Sequence, residues 1–289
     1  MNTRVDIVYQ IRASRELLSA TERKVADAIL DDPAFAAAAS IDQLAHKAGV
    51  SIATISRFAR AVHCIDVRDL KLRLAQASAV GARFLREAPL QENGFYTRIC
   101  AEIETALRGN LAQLREAQFH AAVALLGQAR MIHAFGMGGA STMLSQELQF
   151  RLVRLGYPIS ACHDAVLMKL VAATLDERDV VVVLSLTGAT PELLAAAALV
   201  RQYGAHLVAI TDPDSPLAAL AEVLLPFKAE ETEFIFKPSA ARYAMLMIVD
   251  ILATELALSR KAHSQELLRR VKFALDANRG GHDWLPLGD

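Results

Sequence analysis

Residues 41–60 read IDQLAHKAGVSIATISRFAR. Leu44, Ala45 and Ala48 lie along one short helix. Gly49 falls where the chain must turn, and a left-handed backbone costs least for glycine. Val50 plugs the turn. Ser51 can cap the helix that follows, and Ile55 and Phe58 return to the core. A small residue, a turn glycine and four apolar residues at these intervals form the spacing of a helix-turn-helix; a plain helical hairpin is the alternative. In such a unit the second helix enters the major groove with its N-terminal residues toward the bases. The candidate DNA-contacting set is therefore Ser51, Ile52, Ala53, Thr54, Ser56, Arg57 and Arg60. Arg57 can read guanine or hold a phosphate, and Arg60, farther along, suits a phosphate. A solvated surface arginine is the bland reading of either. So few base-reading side chains call for two copies on two half-sites.

Outward from this stretch, the first eighty residues read as helix. LSATERKVADAILDDP carries a capping-box pair, Ser19 and Glu22, and an apolar stripe of Val25, Ile29 and Leu30 that ends at Pro33. VRDLKLRLAQASAV places Leu70, Leu74 and Ala77 on one face. GARFLREAPLQENG, residues 81–94, loses this periodicity and reads as a linker. FYTRICAEIETALRGNLAQL follows as a bridging helix. From about residue 118, short apolar runs alternate with helical stretches: MIHAF (131–135), YPISAC (157–162), VVVVLSL (180–186), HLVAIT (206–211) and VLLPF (223–227). Such alternation predicts a five-stranded parallel sheet flanked by helices. Two helices and a Gly-rich tail close the chain. The expected division is an all-α DNA-binding domain over 1–80, linker and bridging helix over 81–117, an α/β domain over 118–262, and a terminal helix and tail over 263–289.

Composition bounds the function. The 289 residues are 53% hydrophobic and 22% charged, with a net charge of −1. That is a folded globular composition, and it offers no whole-chain field for nucleic acid or membrane. The balance is local: residues 1–80 carry 11 basic and 9 acidic side chains, and the remainder is net acidic. Lys47, Arg57, Arg60, Arg68, Lys71 and Arg73 face only Asp66 and Asp69 within 46–73. Cys64, Cys100 and Cys162 are odd in number and widely spaced. No disulfide frame or metal site is expected, and a reducing cytoplasm fits. The N-terminus lacks a signal-peptide core, and the most apolar run, YAMLMIVDILA, is short and carries Asp250. No membrane span and no cofactor are expected.

ERKVADAIL, SIDQLAHKAGVSIATISRFAR and DLKLRL together resemble the N-terminal domain of the RpiR-type (MurR/RpiR) bacterial transcription regulators. The match departs at AVHCID, where His63 and Asp66 stand in place of the family's turn glycines. Both tolerate positive φ better than bulky residues, so the turn is expected to persist under some strain.

Two loops carry the chemistry of the second half. HAFGMGGASTMLSQEL passes from a strand through Gly136, Gly138 and Gly139 into a helix, whose free N–H groups suit an anion. LSLTGATPELL sets Ser185, Thr187, Gly188 and Thr190 at a strand's C-terminus, where open α/β sheets bind ligands. Together they resemble the SIS (sugar isomerase) phosphosugar-binding domain, which RpiR-type regulators carry after their helix-turn-helix. In the first loop Ala140 holds the usual serine position and Ser141 is displaced by one; in the second, Ala189 and Pro191 replace arginines. Lys237 and Arg242 lie nearby and can either supply charge or pair with Glu231 and Glu233. The resemblance implies a ligand set of Gly138, Gly139, Ser141, Ser185, Thr187, Gly188, Thr190, Lys237 and Arg242. His133 and His163 read as packing or surface residues.

The expected protein is a homodimer, or a dimer of dimers, that binds double-stranded operator DNA in carbohydrate metabolism and senses a sugar phosphate or sugar acid. No catalytic residue is expected. The alternative is a sugar-phosphate isomerase with an accessory DNA-binding head. That chemistry needs a positioned base, and only Glu147 and Glu192 follow the loops.

Overall fold

The computed structural model describes residues 5–85, 94–230 and 239–277. Residues 1–4, 86–93, 231–238 and 278–289, with the side chains of 79–85, lie outside the described residues. The chain divides into two compact units near residue 90.

The N-terminal unit is all helix: α1 (Ile7–Ser14), α2 (Ala20–Asp31), α3 (Pro33–Ala38), α4 (Ile41–Ala48), α5 (Ile52–Ala61) and α6 (Val67–Leu85). Their starts are written in side chains. Ser19 and Ser40 each form a capping box, with Glu22 and Gln43, and Asp32 caps α3 with Pro33 in its first turn. Gly49 ends α4 at φ 63°, ψ 41°, and Ser51 accepts from the Thr54 N–H to begin α5. Val25, Ile29, Leu44, Ile55, Phe58, Leu70 and Leu74 fill one core. Each such side chain stabilises the fold by about 1.5–3 kcal/mol relative to exposure.

After α5 the turn is built on His63 and Asp66. His63 takes the positive φ, 57°. Asp66 does not; its carboxylate accepts from the Asp69 N–H at 2.8 Å and starts α6. The basic stretch is thinner than its composition implies. Arg73 is buried at 8% exposure, donating to Val5 O (3.0 Å) and Gln10 Oε1 (2.8 Å) and reaching His63 O at 3.4 Å. It ties α6 to α1 and to the turn. Lys47 lies 3.6 Å from the Asp32 carboxylate and over the Phe35 ring. Arg57, Arg60 and Arg68 remain exposed.

The second unit holds α7 (Phe95–Leu111), α8 (Glu116–Gln128), β1 (Met131–Gly136), α9 (Gly139–Arg154), β2 (Ile159–Cys162), α10 (Ala165–Ala172), β3 (Asp179–Leu184), α11 (Pro191–Gln202), β4 (His206–Thr211), α12 (Pro216–Leu220), β5 (Val223–Pro226), α13 (Ala241–Ser259) and α14 (Lys261–Asp276). The five strands are parallel in the order β2-β1-β3-β4-β5. One face packs on α8, α9 and α13 through Leu126, Leu148 and Ile248. The other packs on α10, α11 and α12 through Met168, Ala196 and Leu217. Burial on both faces explains why β3 is an unbroken apolar run after Asp179. Asp179 itself is fully buried and paired with Arg130.

One expectation changes. The linker over 81–94 begins later, because α6 runs on to Leu85. The helix read as a bridge packs on α13. Its Asn110 is buried and donates to Lys228 O at 3.0 Å while accepting from the Lys228 N–H at 2.8 Å. That carboxamide joins the end of α7 to the strand exit after β5. Asn110→Ala should lower stability by about 1–3 kcal/mol, since both backbone groups of Lys228 lose their partner. Denaturant unfolding reads this directly; an unchanged midpoint would show that the clasp holds nothing.

Candidate functional site

The strand order locates the candidate site. From β1 the chain moves outward to β2, and from β3 it moves the other way to β4, so β1 and β3 are neighbours whose connections diverge. Open α/β sheets bind ligands at the carboxyl ends of such a pair. Gly136 and Leu184 are in register at those ends. The two candidate loops therefore leave side by side, although far apart in sequence.

Four helices of this unit begin just after a strand's carboxyl end. Asp164 caps α10 and Ser215 caps α12 with their own side chains. The N-caps of α9 and α11, Gly138 and Thr190, make no side-chain capping bond. The two helices that flank the switch point thus keep backbone donors and the positive end of the helix dipole for something else. Gly138 and Gly139 are exposed, and Gly138 adopts φ 86°, ψ 175°.

The second loop is shaped by its own hydroxyls. Ser185 is 2% exposed, and its Oγ accepts from the Gly188 N–H at 3.0 Å. Its hydroxyl proton remains to be donated. Thr187 is exposed and accepts from the Ala189 N–H at 3.3 Å. Gly188 adopts φ 60°, and its carbonyl accepts from the Leu217 N–H. The loop is thereby fastened to α12. Beneath it the Thr211 hydroxyl is fully buried without a hydrogen-bond partner.

The other expected ligand residues are less uniform. Ser141 is 5% exposed in the first turn of α9, on the inner stripe with Leu144 and Leu148. Arg242 donates to Tyr243 Oη at 3.1 Å and stacks on that ring in the first turn of α13. Lys237 lies outside the described residues, as do Glu231 and Glu233. Among the described residues no cluster of three or more His, Cys, Asp or Glu could hold a metal.

His163, read from the sequence as a packing or surface residue, is half-buried and held at the strand ends. It follows β2, and its Nδ1 lies 3.3 Å from both Gly136 O and Ser145 Oγ. Ser145 donates its one proton to Thr142 O at 2.9 Å, and a carbonyl cannot donate. Nδ1 must then carry a hydrogen, which leaves Nε2 as the acceptor of the neutral ring. The signal available in the sequence was its position, a histidine directly after an apolar strand at the carboxyl edge. His133 behaves differently: half-buried on β1, its ring is pushed toward neutrality by burial.

On the N-terminal unit the helix after the turn exposes Ser51, Ile52, Ala53, Arg57 and Arg60, with Ser56 half-buried. Thr54 departs from the expected set. It is 4% exposed, its hydroxyl lies 3.0 Å from Ser51 Oγ, and Arg57 Nη2 donates to it at 3.3 Å. It sits on the inner side of the first turn and steadies Arg57. No helix among the described residues is long and apolar enough to cross a membrane.

Residues 5–81 match the helix-turn-helix domain of the rpiR family, and residues 125–255 match the SIS domain. The chain is 35% identical over 277 residues to the HTH-type transcriptional regulator HexR of Pseudomonas aeruginosa, covering 95% of this chain and 97% of that protein. It is 33% identical over 288 residues to HexR of Escherichia coli K12, covering 99% of each. In fold it is similar to Vibrio vulnificus NanR complexed with ManNAc-6P, with a TM-score of 0.60, 22% identity, and coverage of 94% of this chain and 98% of that one. Matched over nearly its whole length, the chain belongs to the rpiR family of helix-turn-helix transcriptional regulators with a C-terminal SIS domain.

Proposed function

We propose that this regulator binds palindromic double-stranded operator DNA as a homodimer in the cytoplasm, senses a sugar phosphate or sugar acid at the β1/β3 switch point, and catalyses nothing. The observation that carries the reading is the pair of uncapped helix N-termini, α9 and α11, that follow the adjacent carboxyl ends of β1 and β3. Backbone N–H groups and hydroxyl protons suit an anionic, hydroxyl-rich ligand. A protein of the same fold with ManNAc-6P bound supports that ligand class.

The isomerase alternative needs a base facing the crevice. Glu147 is paired with Arg151 at 2.6 Å, and Glu192 is exposed in the first turn of α11. Both carboxylates are accounted for by surface and helix-terminus roles, which leaves His163 Nε2 as the base that a turnover assay would test. Turnover of any pentose or hexose phosphate by the purified protein would reverse this assignment.

The direct test is operator binding titrated with metabolites, after a thermal-shift screen of sugar phosphates and sugar acids. A ligand that binds the folded state raises its stability by RT ln(1 + [L]/Kd). The double variant Ser185→Ala, Thr187→Val should bind operator normally without effector. Each lost hydrogen bond to a charged ligand costs about 1.5–3 kcal/mol. At least about tenfold more effector should therefore be needed for the same change in DNA occupancy. Superimposable effector curves would remove this loop from the site.

A further inference from the structure

Helices α2, α4 and α5 of the N-terminal unit each begin on a serine: Ser19, Ser40 and Ser51. In α2 and α4 the third helical residue is Glu22 or Gln43, whose side chain reaches back to the backbone N–H of the cap. Such a reciprocal pair satisfies two donors at a helix start. Helix α5 departs from this pattern. Its third residue is Thr54, which is too short to reach back and has a lower helix propensity than Glu or Gln. Ser51 Oγ accepts from the Thr54 N–H at 3.3 Å, a bond that any residue but proline would donate from that position. What the hydroxyl of Thr54 adds lies in its other contacts.

Thr54 Oγ1 lies 3.0 Å from Ser51 Oγ and 3.3 Å from Arg57 Nη2. A guanidinium only donates, so Thr54 accepts from Arg57. Thr54 is 4% exposed. Its proton, turned away from Ser51, would be buried without an acceptor, a cost that water spares an exposed hydroxyl. Thr54 therefore donates to Ser51 Oγ. Ser51 is exposed, and its own proton stays free for an acceptor outside the protein. The Thr54 hydroxyl thus uses its proton inside the chain and is closed to anything that α5 meets. Its one outward effect is on Arg57, which is exposed. Thr54 takes one of the five N–H groups of the guanidinium and leaves the others. A phosphate is served by a loosely held point charge. A base edge needs a planar fork in a set position. A tether in the first turn favours the second use.

We propose that Thr54 is a positioning residue for operator recognition: it does not touch DNA, and it holds the Arg57 guanidinium in the attitude that reads a base. This role follows from the placement of α5 in the major groove.

Parallel titrations of operator and random-sequence DNA test it, with wild type, Thr54→Val, Thr54→Ser, Arg57→Ala and the double variant Thr54→Val, Arg57→Ala. Valine keeps the branched shape, and its N–H still meets Ser51, so circular dichroism should show a folded domain. Thr54→Val should lower operator affinity by about two- to tenfold, the loss expected when a long side chain must be immobilised on contact. Its affinity for random DNA and its salt slope should not change, because no charge is lost. Thr54→Ser keeps the hydroxyl and should restore discrimination. The double variant should discriminate no worse than Arg57→Ala alone, since Thr54 acts through that arginine. Should valine unfold the unit, Thr54→Ala decides by the same comparison. Equal losses on both DNAs, or losses that add in the double variant, would reduce Thr54 to a structural residue and overturn the assignment. Loss of discrimination by Arg57→Ala but not by Thr54→Val would sink the tether alone. Intact operator binding by Arg57→Ala would sink the placement of α5 and the tether with it.

Discussion

Gly188→Ala is expected to destabilise the C-terminal unit by about 2–5 kcal/mol and to abolish the response to effector. Two costs combine at this position. The backbone is left-handed, φ 60°, which costs an L-residue roughly 1–2 kcal/mol. An added Cβ would also lie 2.4 Å from Ser215 Cβ and 2.6 Å from Thr211 Oγ1. The Ser215 contact is not with the far end of a flexible chain, so α12 or the loop must shift. Overpacking of this kind costs roughly 1–3 kcal/mol. Moving the loop breaks the Ser185–Gly188 bond and turns Thr187 away, which removes the donors proposed to meet the ligand. Denaturant unfolding should show a lower midpoint for the C-terminal transition, with the DNA-binding unit unaffected. A variant of wild-type stability that still responds to effector would show that the loop has slack and that its tight conformation does not matter for sensing.

Arg57→Ala is expected to weaken operator binding by about 1–3 kcal/mol if the guanidinium reads a base. The side chain is already steadied in the free protein. Its Nη2 donates to Thr54 Oγ1 at 3.3 Å, and its charge lies close enough to the N-terminus of α2 to be felt by Glu22. The Glu22 carboxyl is held below its usual range, first by the Ser19 hydroxyl and backbone N–H and in smaller part by Arg57. An arginine ordered before binding loses less freedom on contact. Operator and random DNA, each titrated over a range of salt, separate the two roles. A base contact shows as lost discrimination; a phosphate contact shows as a uniform loss and a salt slope smaller by about one. Undiminished affinity on both DNAs would mean that α5 is not the helix in the groove.

What the sequence determined by itself is whatever is local. The helix-turn-helix was legible because its signals lie within twenty residues: Gly49 at the turn, Ser51 at the cap, and Leu44, Ile55 and Phe58 at core intervals. All five behave in the structure as their chemistry requires. The strands were legible for the same reason. An unbroken run such as Val180–Leu184 can satisfy itself only inside a sheet covered on both faces, and the observed strands begin and end within two residues of the apolar runs.

Tertiary structure decided whatever depends on distant neighbours. Arg73 counts as surface charge until α1, more than sixty residues away, supplies the oxygens that bury it. Nothing near Asn110 in the sequence foretells that it meets the backbone of Lys228, 118 positions on. The candidate site is the clearest case. Gly138, Ser185 and His163 come from three different crossovers, and only the parallel order β2-β1-β3 brings their strand ends together. Parallel pairing needs long connections. The partners of such a sheet are therefore chosen by how the helices pack over its two faces, and no window of the sequence holds that information.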